Sequence, residues 1–102
     1  MTFGEFSYKN NRRCTLGFGF IVNEWSLTDW MCALTGEIGE AANLIKKLRR
    51  GEKIDKKEIC FELADAITYI DLLMLALNLD TESILKEKFN IVSDRLGSDI
   101  KL

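Results

Sequence analysis

The fold is decided by residues 26–51, which read SLTDWMCALTGEIGEAANLIKKLRRG. Ser26 and Asp29 have the spacing of a capping box, in which two side chains satisfy free backbone amides at the start of a helix. Gly51 is the residue type that commonly follows the last turn. Between these signals, apolar residues recur at helical spacing, at Leu34, Ile38, Ala41, Ile45 and Leu48. The stretch therefore predicts a helix over residues 27–50.

Two further helices are predicted after this one, and each begins at an aspartate that can cap it. Asp55 opens a long apolar run that ends at Asn78, and Asp80 opens a run over residues 81–96 that stops at Gly97. The apolar positions of the longer run are Ile59, Leu63, Ala66, Ile67, Ile70, Leu73, Met74 and Leu77, and those of the shorter run are Ile84, Leu85, Phe89 and Val92. Because the connections are short, neighbouring helices are expected to pack antiparallel.

The amino-terminal quarter has a weaker pattern. A helix over residues 2–14 would carry its apolar side chains at Phe3, Phe6, Tyr8 and Cys14. Residues 16–22 alternate in a way that suits a short strand as well as an aromatic-rich loop. We predict a loop, in which Phe18 and Phe20 cover the open end of a helical hairpin.

The composition is that of one folded domain over residues 1–102. Of the 102 residues, 47% are hydrophobic and 29% are charged, which is too apolar for a disordered chain and too charged for a membrane protein. No apolar run approaches the ~18 residues of a spanning helix, and the first residues lack the order of a signal peptide. We therefore expect a cytoplasmic protein with no membrane partner.

The sequence contains neither histidine nor proline. The lack of histidine excludes a histidine general base, a Ser-His or Cys-His pair, a histidine-rich zinc site and the Glu-x-x-His di-iron site. The lack of proline favours helices. Cys14, Cys32 and Cys60 include no CxxC pair, so they are interpreted as reduced thiols in the core.

The charge balance argues against nucleic acid as a partner, because the net charge is −2 and the pI is about 5.2. A local basic cluster is nevertheless present at Lys46, Lys47, Arg49 and Arg50. We interpret it as a solvated helix end near the negative pole of the helix dipole. Binding of a polynucleotide by this cluster is an alternative that fits the acidic total poorly.

Two acidic pairs lie in the middle of the two long helices. Glu37 and Glu40 are three residues apart, as are Glu62 and Asp65, so each pair occupies one helical face. Like charges at this spacing cost a few tenths of a kcal/mol, and both pairs border apolar stripes rather than a purely polar surface. Antiparallel packing would bring the four carboxylates together at the edge of the core. An ordinary solvated acidic face is the alternative interpretation.

Four acids in a small, partly dry volume require a cation or raised pKa values. Oxygen ligands without histidine or thiolate favour Mg²⁺, or Mn²⁺ in its place, and Mg²⁺ commonly binds phosphates. Because no P-loop and no GxGxxG motif are present, metal and basic side chains would hold the phosphates. Lys47, Lys88 and Arg95 are the candidates, although residues in such positions are more often plain surface charges.

Residues 30–47 and 62–69 together resemble the MazG-like branch of the all-α nucleoside triphosphate pyrophosphohydrolases. The family signature is ExxE, a spacer and ExxD, which Glu37, Glu40, Glu62 and Asp65 match. The resemblance covers most of residues 8–97, and the chain looks like the small MazG-like proteins of phages and mobile elements. Further matching runs are Asn10 to Cys14, Trp25 to Trp30, and Lys88 to Asn90 with Ser93 and Arg95.

The resemblance implies an all-α fold in which helical hairpins dimerise into a four-helix bundle. It implies hydrolysis of a nucleoside triphosphate between the α and β phosphates, giving a monophosphate and pyrophosphate. The four acids would bind Mg²⁺, and Glu40 is the candidate to accept the proton of the attacking water. The charge on the phosphates would be offset by Lys47, Lys88 and Arg95. Candidates for contacts with the sugar or a phosphate are Tyr69 and Asn90. Candidates for stacking on the base are Trp25 and Trp30.

Trp25 is the preferred candidate for base stacking, because Trp30 lies inside the predicted helix and is expected to be core. Glu58, one turn before Glu62, is a fifth candidate ligand. In better-known relatives, a histidine in the stretch that corresponds to residues 15–23 often helps to hold the nucleotide. This chain has Phe18, Gly19 and Phe20 there instead, so the resemblance does not indicate which base is preferred.

The second long helix is apolar around most of its circumference. One hairpin partner cannot cover all of that surface, so the sequence predicts an obligate oligomer, a twofold dimer or a tetramer. A different class of function is also compatible with these helices, namely a non-enzymatic module whose apolar faces dock a partner helix. That alternative leaves the two acidic pairs unexplained.

Overall fold

The computed structural model of the protein describes residues 1–17, 19 and 22–102. Helices are the regular structure of these residues, and no strand occurs among them, which confirms the all-α prediction. The elements are α1 (Phe3–Gly17), a 3-10 turn (Val22–Glu24), α2 (Leu27–Arg49), α3 (Lys56–Ala76) and α4 (Thr81–Leu96). None of the helices within the described ranges is both long and apolar enough to cross a membrane.

The predicted helix starts are confirmed by their hydrogen bonds. Ser26 Oγ accepts from the Asp29 amide at 3.1 Å and Asp29 Oδ2 accepts from the Ser26 amide at 3.0 Å, which completes the capping box of α2. Asp55 caps α3 by accepting from the Lys57 amide. Asp80 caps α4, and its pKa is lowered by hydrogen bonds from the hydroxyl and the amide of Ser83.

The helix ends and the amino terminus differ slightly from prediction. Helix α2 ends one residue early, at Arg49, and Gly97 ends α4 in the left-handed conformation at φ 68°. Helix α1 continues to Gly17, three residues beyond the predicted end, so residues 16 and 17 are helical. The expectation that Phe18 and Phe20 cover the hairpin lies outside the described residues.

Helices α2 and α3 form an antiparallel hairpin, and α1 packs across α3. The hydrophobic core lies where α1, the 3-10 turn and the two hairpin helices meet, and it consists of Cys14, Val22, Trp30 and Leu72. Trp30 is only 1% exposed and its indole Nε1 donates to the Val22 carbonyl at 2.8 Å, which confirms its prediction as core. Helix α4 contacts α1 and α3 but not α2.

A buried polar group connects three of the helices, and we call it the Asp71 cluster. Asp71 is fully buried in α3 and accepts from Ser7 Oγ at 2.7 Å, Asn10 Nδ2 at 2.9 Å and Thr81 Oγ1 at 2.6 Å. Ser7 and Asn10 belong to α1, and Thr81 begins α4. A buried carboxylate is stable when several donors satisfy its oxygens, so this cluster fixes α1 and α4 to α3.

Much apolar surface stays uncovered in the single chain. The radius of gyration is 16.1 Å, against about 13 Å for a compact domain of this length. The prediction of three core thiols is wrong for two of them, since Cys14 is buried but Cys32 and Cys60 are exposed. Cys32 and Cys60 are exposed because they lie on the outer faces of α2 and α3, away from the core.

Candidate metal centre

Three of the four predicted acids converge across the helical hairpin. One carboxylate oxygen from each of Glu37, Glu40 and Glu62 lies within 4.8 Å of the other two. The antiparallel packing of α2 and α3 produces this arrangement, because residues one turn apart on each helix then face each other. We call these three residues the acid cluster. Glu58 is exposed in the first turn of α3 and does not belong to it.

The charges of the acid cluster oppose one another. The pKa of Glu40 is raised, first by a hydrogen bond with Glu62, then by the charge of Glu62, by burial and by the charge of Asp65. Glu37 acts on this pKa in the opposite direction. Two carboxyl groups can share a hydrogen bond only when one of them is protonated. In the absence of a cation, the repulsion within the cluster is therefore relieved by a proton.

Glu37 contains an unsatisfied oxygen. Its Oε2 atom is buried and accepts no hydrogen bond from the residues that the structure describes. Leaving such an atom without a partner costs about 1–3 kcal/mol, and more for a charged group. A cation at this position would supply the missing interaction. The side chains of the acid cluster therefore provide hard oxygen donors in the pattern that suits Mg²⁺ or Mn²⁺.

Asp65 lies beside the acid cluster rather than within it. It is not one of the three acids within 4.8 Å, but it raises the pKa of Glu40 and lines one cavity with Glu37. This space, which we call the inner cavity, has a volume of about 130 Å³. Its lining residues are Asn10, Arg13, Glu37, Asp65, Thr68, Tyr69 and Leu72.

Tyr69 is half-buried at the same place, between the inner cavity and the core. Its ring centroid is 6.2 Å from that of Trp30. Burial raises the pKa of the Tyr69 hydroxyl, and the charges of Glu37 and Asp65 raise it further. The hydroxyl therefore stays protonated around neutral pH and can donate a hydrogen bond to an anionic group in the cavity.

The two tryptophans occupy different environments. Trp25 is half-buried against the core, with its ring centroid 4.5 Å from that of Trp30. It lines a separate, open hollow with Asp29, Cys32 and Ala33, and not the inner cavity. Trp25, just before α2, is therefore partly exposed at this hollow, while Trp30 within α2 is enclosed.

The predicted basic and amide side chains lie farther along the fold. Lys47 is half-buried on α2, seven residues after Glu40, and does not line the inner cavity. Lys88, Asn90 and Arg95 are on α4, which does not contact α2. The Asn90 amide is also engaged by the carboxyl terminus, since its Oδ1 accepts from the Leu102 amide at 2.9 Å. Within one chain, α4 and the acid cluster are therefore not brought together.

Sequence reasoning gave no role to three residues that line the inner cavity. Asn10 and Arg13 reach it from α1, and Thr68 reaches it from α3. One local signal exists in the sequence: Ser7, Asn10 and Cys14 have the spacing of one helical face, and the structure buries all three. This spacing places polar residues in line with a core cysteine, but it does not report which helix they contact or that a cavity lies there.

Comparison of the chain with protein-family models, with curated proteins and with solved structures found no match. The acid cluster and the inner cavity are therefore the features of the chain that indicate a function.

Proposed function

We propose that the protein is a Mg²⁺-dependent nucleoside triphosphate pyrophosphohydrolase of the MazG-like type, acting in the cytoplasm. It would cleave ribo- or deoxyribonucleoside triphosphates between the α and β phosphates, releasing a monophosphate and pyrophosphate. The observation that carries this proposal is the acid cluster itself. Three carboxylates from two helices meet there, and no lysine or arginine of the described chain forms an ion pair with them.

The donor set fits the proposed metal. Glu37, Glu40 and Glu62 would hold Mg²⁺, with Mn²⁺ as a substitute, and Asp65 would complete the acidic side of the site from the adjoining cavity. When bound, the metal supplies charge neutralisation for the phosphates and a water of lowered pKa. Glu40 is the most exposed member of the acid cluster. It is therefore our candidate to accept the proton of the water that attacks the α phosphorus.

Other side chains are assigned to the substrate by their position. Tyr69 borders the inner cavity with a protonated hydroxyl, so it would donate to a phosphate or to the sugar. Trp25 lines an open hollow on the same helical hairpin and would stack on the base. Lys47, which is half-buried on α2, would approach the phosphates from that helix.

We further propose that the active form is a dimer or a tetramer. Large apolar side chains on α2, α3 and α4 are between 41% and 59% exposed in the single chain, among them Ile38, Ile45, Phe61, Leu63, Ile67, Leu85 and Phe89. Exposure on this scale is typical of a surface that a second chain covers. Since α4 does not contact α2 within one chain, Lys88, Asn90 and Arg95 would reach the phosphates only from a second copy.

Product analysis tests the proposed reaction directly. The protein is incubated with Mg²⁺ and each common ribo- and deoxyribonucleoside triphosphate, and the products are separated by anion-exchange chromatography. We expect a monophosphate and pyrophosphate from at least one substrate, and none of either from Glu62→Gln. A diphosphate with inorganic phosphate would show cleavage at the other anhydride bond. No turnover of any substrate would favour the alternative of a helical docking module.

A further inference from the structure

Helix α1 forms one wall of the space beside the acid cluster. Asn10 and Arg13 line the inner cavity from α1, while Glu37 and Asp65 line it from the hairpin helices. Arg13 is the only cationic side chain among the lining residues. The cavity therefore has a positive group on the α1 side and carboxylates on the side of α2 and α3.

The Asp71 cluster holds this wall in place. Asn10 Nδ2 donates both to Asp71 Oδ2 at 2.9 Å and to the Thr68 carbonyl at 3.0 Å, and Ser7 adds a second hydrogen bond to Asp71 from the same helix. Arg13 follows Asn10 by three residues, so its side chain leaves α1 on the same face, one turn farther on. The backbone of α1 at Arg13 is thus held by hydrogen bonds of its neighbours Ser7 and Asn10.

Among the residues that the structure describes, the charge of Arg13 has no ion-pair partner. Arg13 forms neither an ion pair nor a hydrogen bond with any described residue, although Glu37 and Asp65 line the same cavity. By contrast, the neighbouring Arg12 donates to the Tyr8 hydroxyl at 3.2 Å, and Lys9 pairs with Glu5 at 3.1 Å. A guanidinium that is positioned but unpaired is suited to bidentate binding of a phosphate.

The available space also suits a polyphosphate. The inner cavity of about 130 Å³ could hold a phosphate group or a few waters, since a water occupies about 30 Å³ of liquid. A second cavity of about 280 Å³ adjoins it, because Asn10, Arg13 and Thr68 line both. A chain of phosphates that begins at the acid cluster therefore has room to extend past Arg13.

We infer that Arg13 binds a phosphate of the substrate from the α1 side, opposite the carboxylates that would hold the metal. This inference rests on the proposed function and adds a substrate contact to it. It makes α1 part of the substrate site, with a polyphosphate chain as the recognised group.

Calorimetry with inorganic tripolyphosphate in the presence of Mg²⁺ tests this contact without relying on turnover. Arg13→Gln is compared with Arg12→Gln, which removes the same charge from the adjacent position of the same helix. We expect Arg13→Gln to weaken tripolyphosphate binding about 10- to 100-fold, as for loss of a charged hydrogen-bond pair. The affinity of Arg12→Gln for tripolyphosphate should stay within about twofold of the wild type. The affinity of Arg13→Lys should fall between those of the two glutamine variants, because lysine keeps the charge but lacks the planar guanidinium that binds a phosphate through two hydrogen bonds.

Bound Mn²⁺ and product formation are measured on the same samples to separate the two proposals. If the wild type binds Mn²⁺ and releases pyrophosphate while Arg13→Gln binds tripolyphosphate as the wild type does, the role of Arg13 is wrong and the proposed function stands. If Arg13→Gln also loses bound Mn²⁺, Arg13 acts through the acid cluster and the phosphate contact is wrong. If the wild type neither binds Mn²⁺ nor turns over, the proposed function fails, and this inference fails with it.

Discussion

Two groups of carboxylates lie between helices of this protein, and they are built in opposite ways. Asp71 is fully buried, and three donors from α1 and α4 satisfy it. The acid cluster brings Glu37, Glu40 and Glu62 together instead, with a raised pKa at Glu40 and a buried oxygen of Glu37 that accepts no hydrogen bond from the described residues. Hydrogen bonds within the chain thus stabilise the carboxylate of Asp71. The carboxylates of the acid cluster require a proton or a cation instead.

The two groups should therefore respond differently to mutation. Removing a carboxylate that the fold satisfies leaves its donors buried without partners, which lowers stability. Removing one member of a repelling set relieves repulsion, so stability is kept while ligand binding is lost.

Glu62→Gln tests the acid cluster through activity. We expect Mg²⁺-dependent turnover to fall by about 100-fold or more, because the substitution removes a proposed metal ligand while keeping the shape of the side chain. Without metal, the melting temperature should stay the same or rise. Asp65→Asn should cause a smaller loss of turnover, since Asp65 lies beside the cluster.

The matched control for both variants is Glu52→Gln, in the loop between the hairpin helices, where Glu52 pairs with Arg50. It should leave turnover and melting temperature unchanged. Near-normal turnover by Glu62→Gln would contradict the proposal that the acid cluster binds the metal, and the cluster would then not differ in function from Asp71.

Asp71→Ala tests the structural carboxylate through stability. The change leaves Ser7, Asn10 and Thr81 as buried donors without their acceptor, so we expect a loss of about 3–5 kcal/mol in the free energy of unfolding. Chemical denaturation at matched protein concentration measures it. Asp94→Ala removes an exposed carboxylate that pairs with Lys101 and should cost less than about 1 kcal/mol. Equal losses in the two variants would show that the Asp71 cluster does not hold the helices together.

The two tryptophans also differ in role, since Trp30 stabilises the core whereas Trp25 is proposed to bind the base. Trp30→Ala should cost about 3–5 kcal/mol of stability, because Trp30 is 1% exposed in the core. Trp25→Ala should cost less stability and weaken nucleotide binding by about 1–3 kcal/mol, if Trp25 stacks on the base. Denaturation and calorimetry with a nucleoside triphosphate measure the two effects. The reverse pattern would show that the roles of the two residues are exchanged.

The pH dependence of stability separates Glu40 from the capping residue Asp80. The pKa of Glu40 is raised in the folded state, so its stabilising contribution is present below the ordinary glutamate pKa and is lost as the pH rises through the raised value. The pKa of Asp80 is lowered, so its contribution is present above the ordinary aspartate pKa and is lost as the pH falls through the lowered value. In metal-free protein, Glu40→Gln should flatten the first dependence and leave the second. If the free energy of unfolding of Glu40→Gln depends on pH as that of the wild type does, the claim that the acid cluster shares a proton is contradicted.

Local signals in the sequence were sufficient for the helices and for much of the acid cluster. Capping at Ser26, Asp55 and Asp80 involves residues two or three positions apart, so the pattern can be read directly. The acidic pairs were equally readable, because a spacing of three residues places both acids on one helical face. Antiparallel packing of a short-looped hairpin then brings three of the four acids together, with Asp65 beside them.

The Asp71 cluster and the role of α1 could not be predicted in this way. The hydrogen bonds from Ser7 and Asn10 to Asp71 span 64 and 61 residues, and no periodicity within one helix reports such a pairing. The amphipathic pattern also does not say which helices pack together. The core assignment of Cys32 and Cys60 was wrong for this reason.

Titration with Mn²⁺ tests the central claim most directly, because the electron paramagnetic resonance signal of the free ion reports how much stays unbound. We predict that the wild type removes free Mn²⁺ from solution with saturable binding, that excess Mg²⁺ displaces it, and that Glu62→Gln abolishes this binding while Glu52→Gln keeps it. Free Mn²⁺ that is unaffected by the wild type, or binding that is equal in Glu62→Gln, would contradict a metal site at Glu37, Glu40 and Glu62.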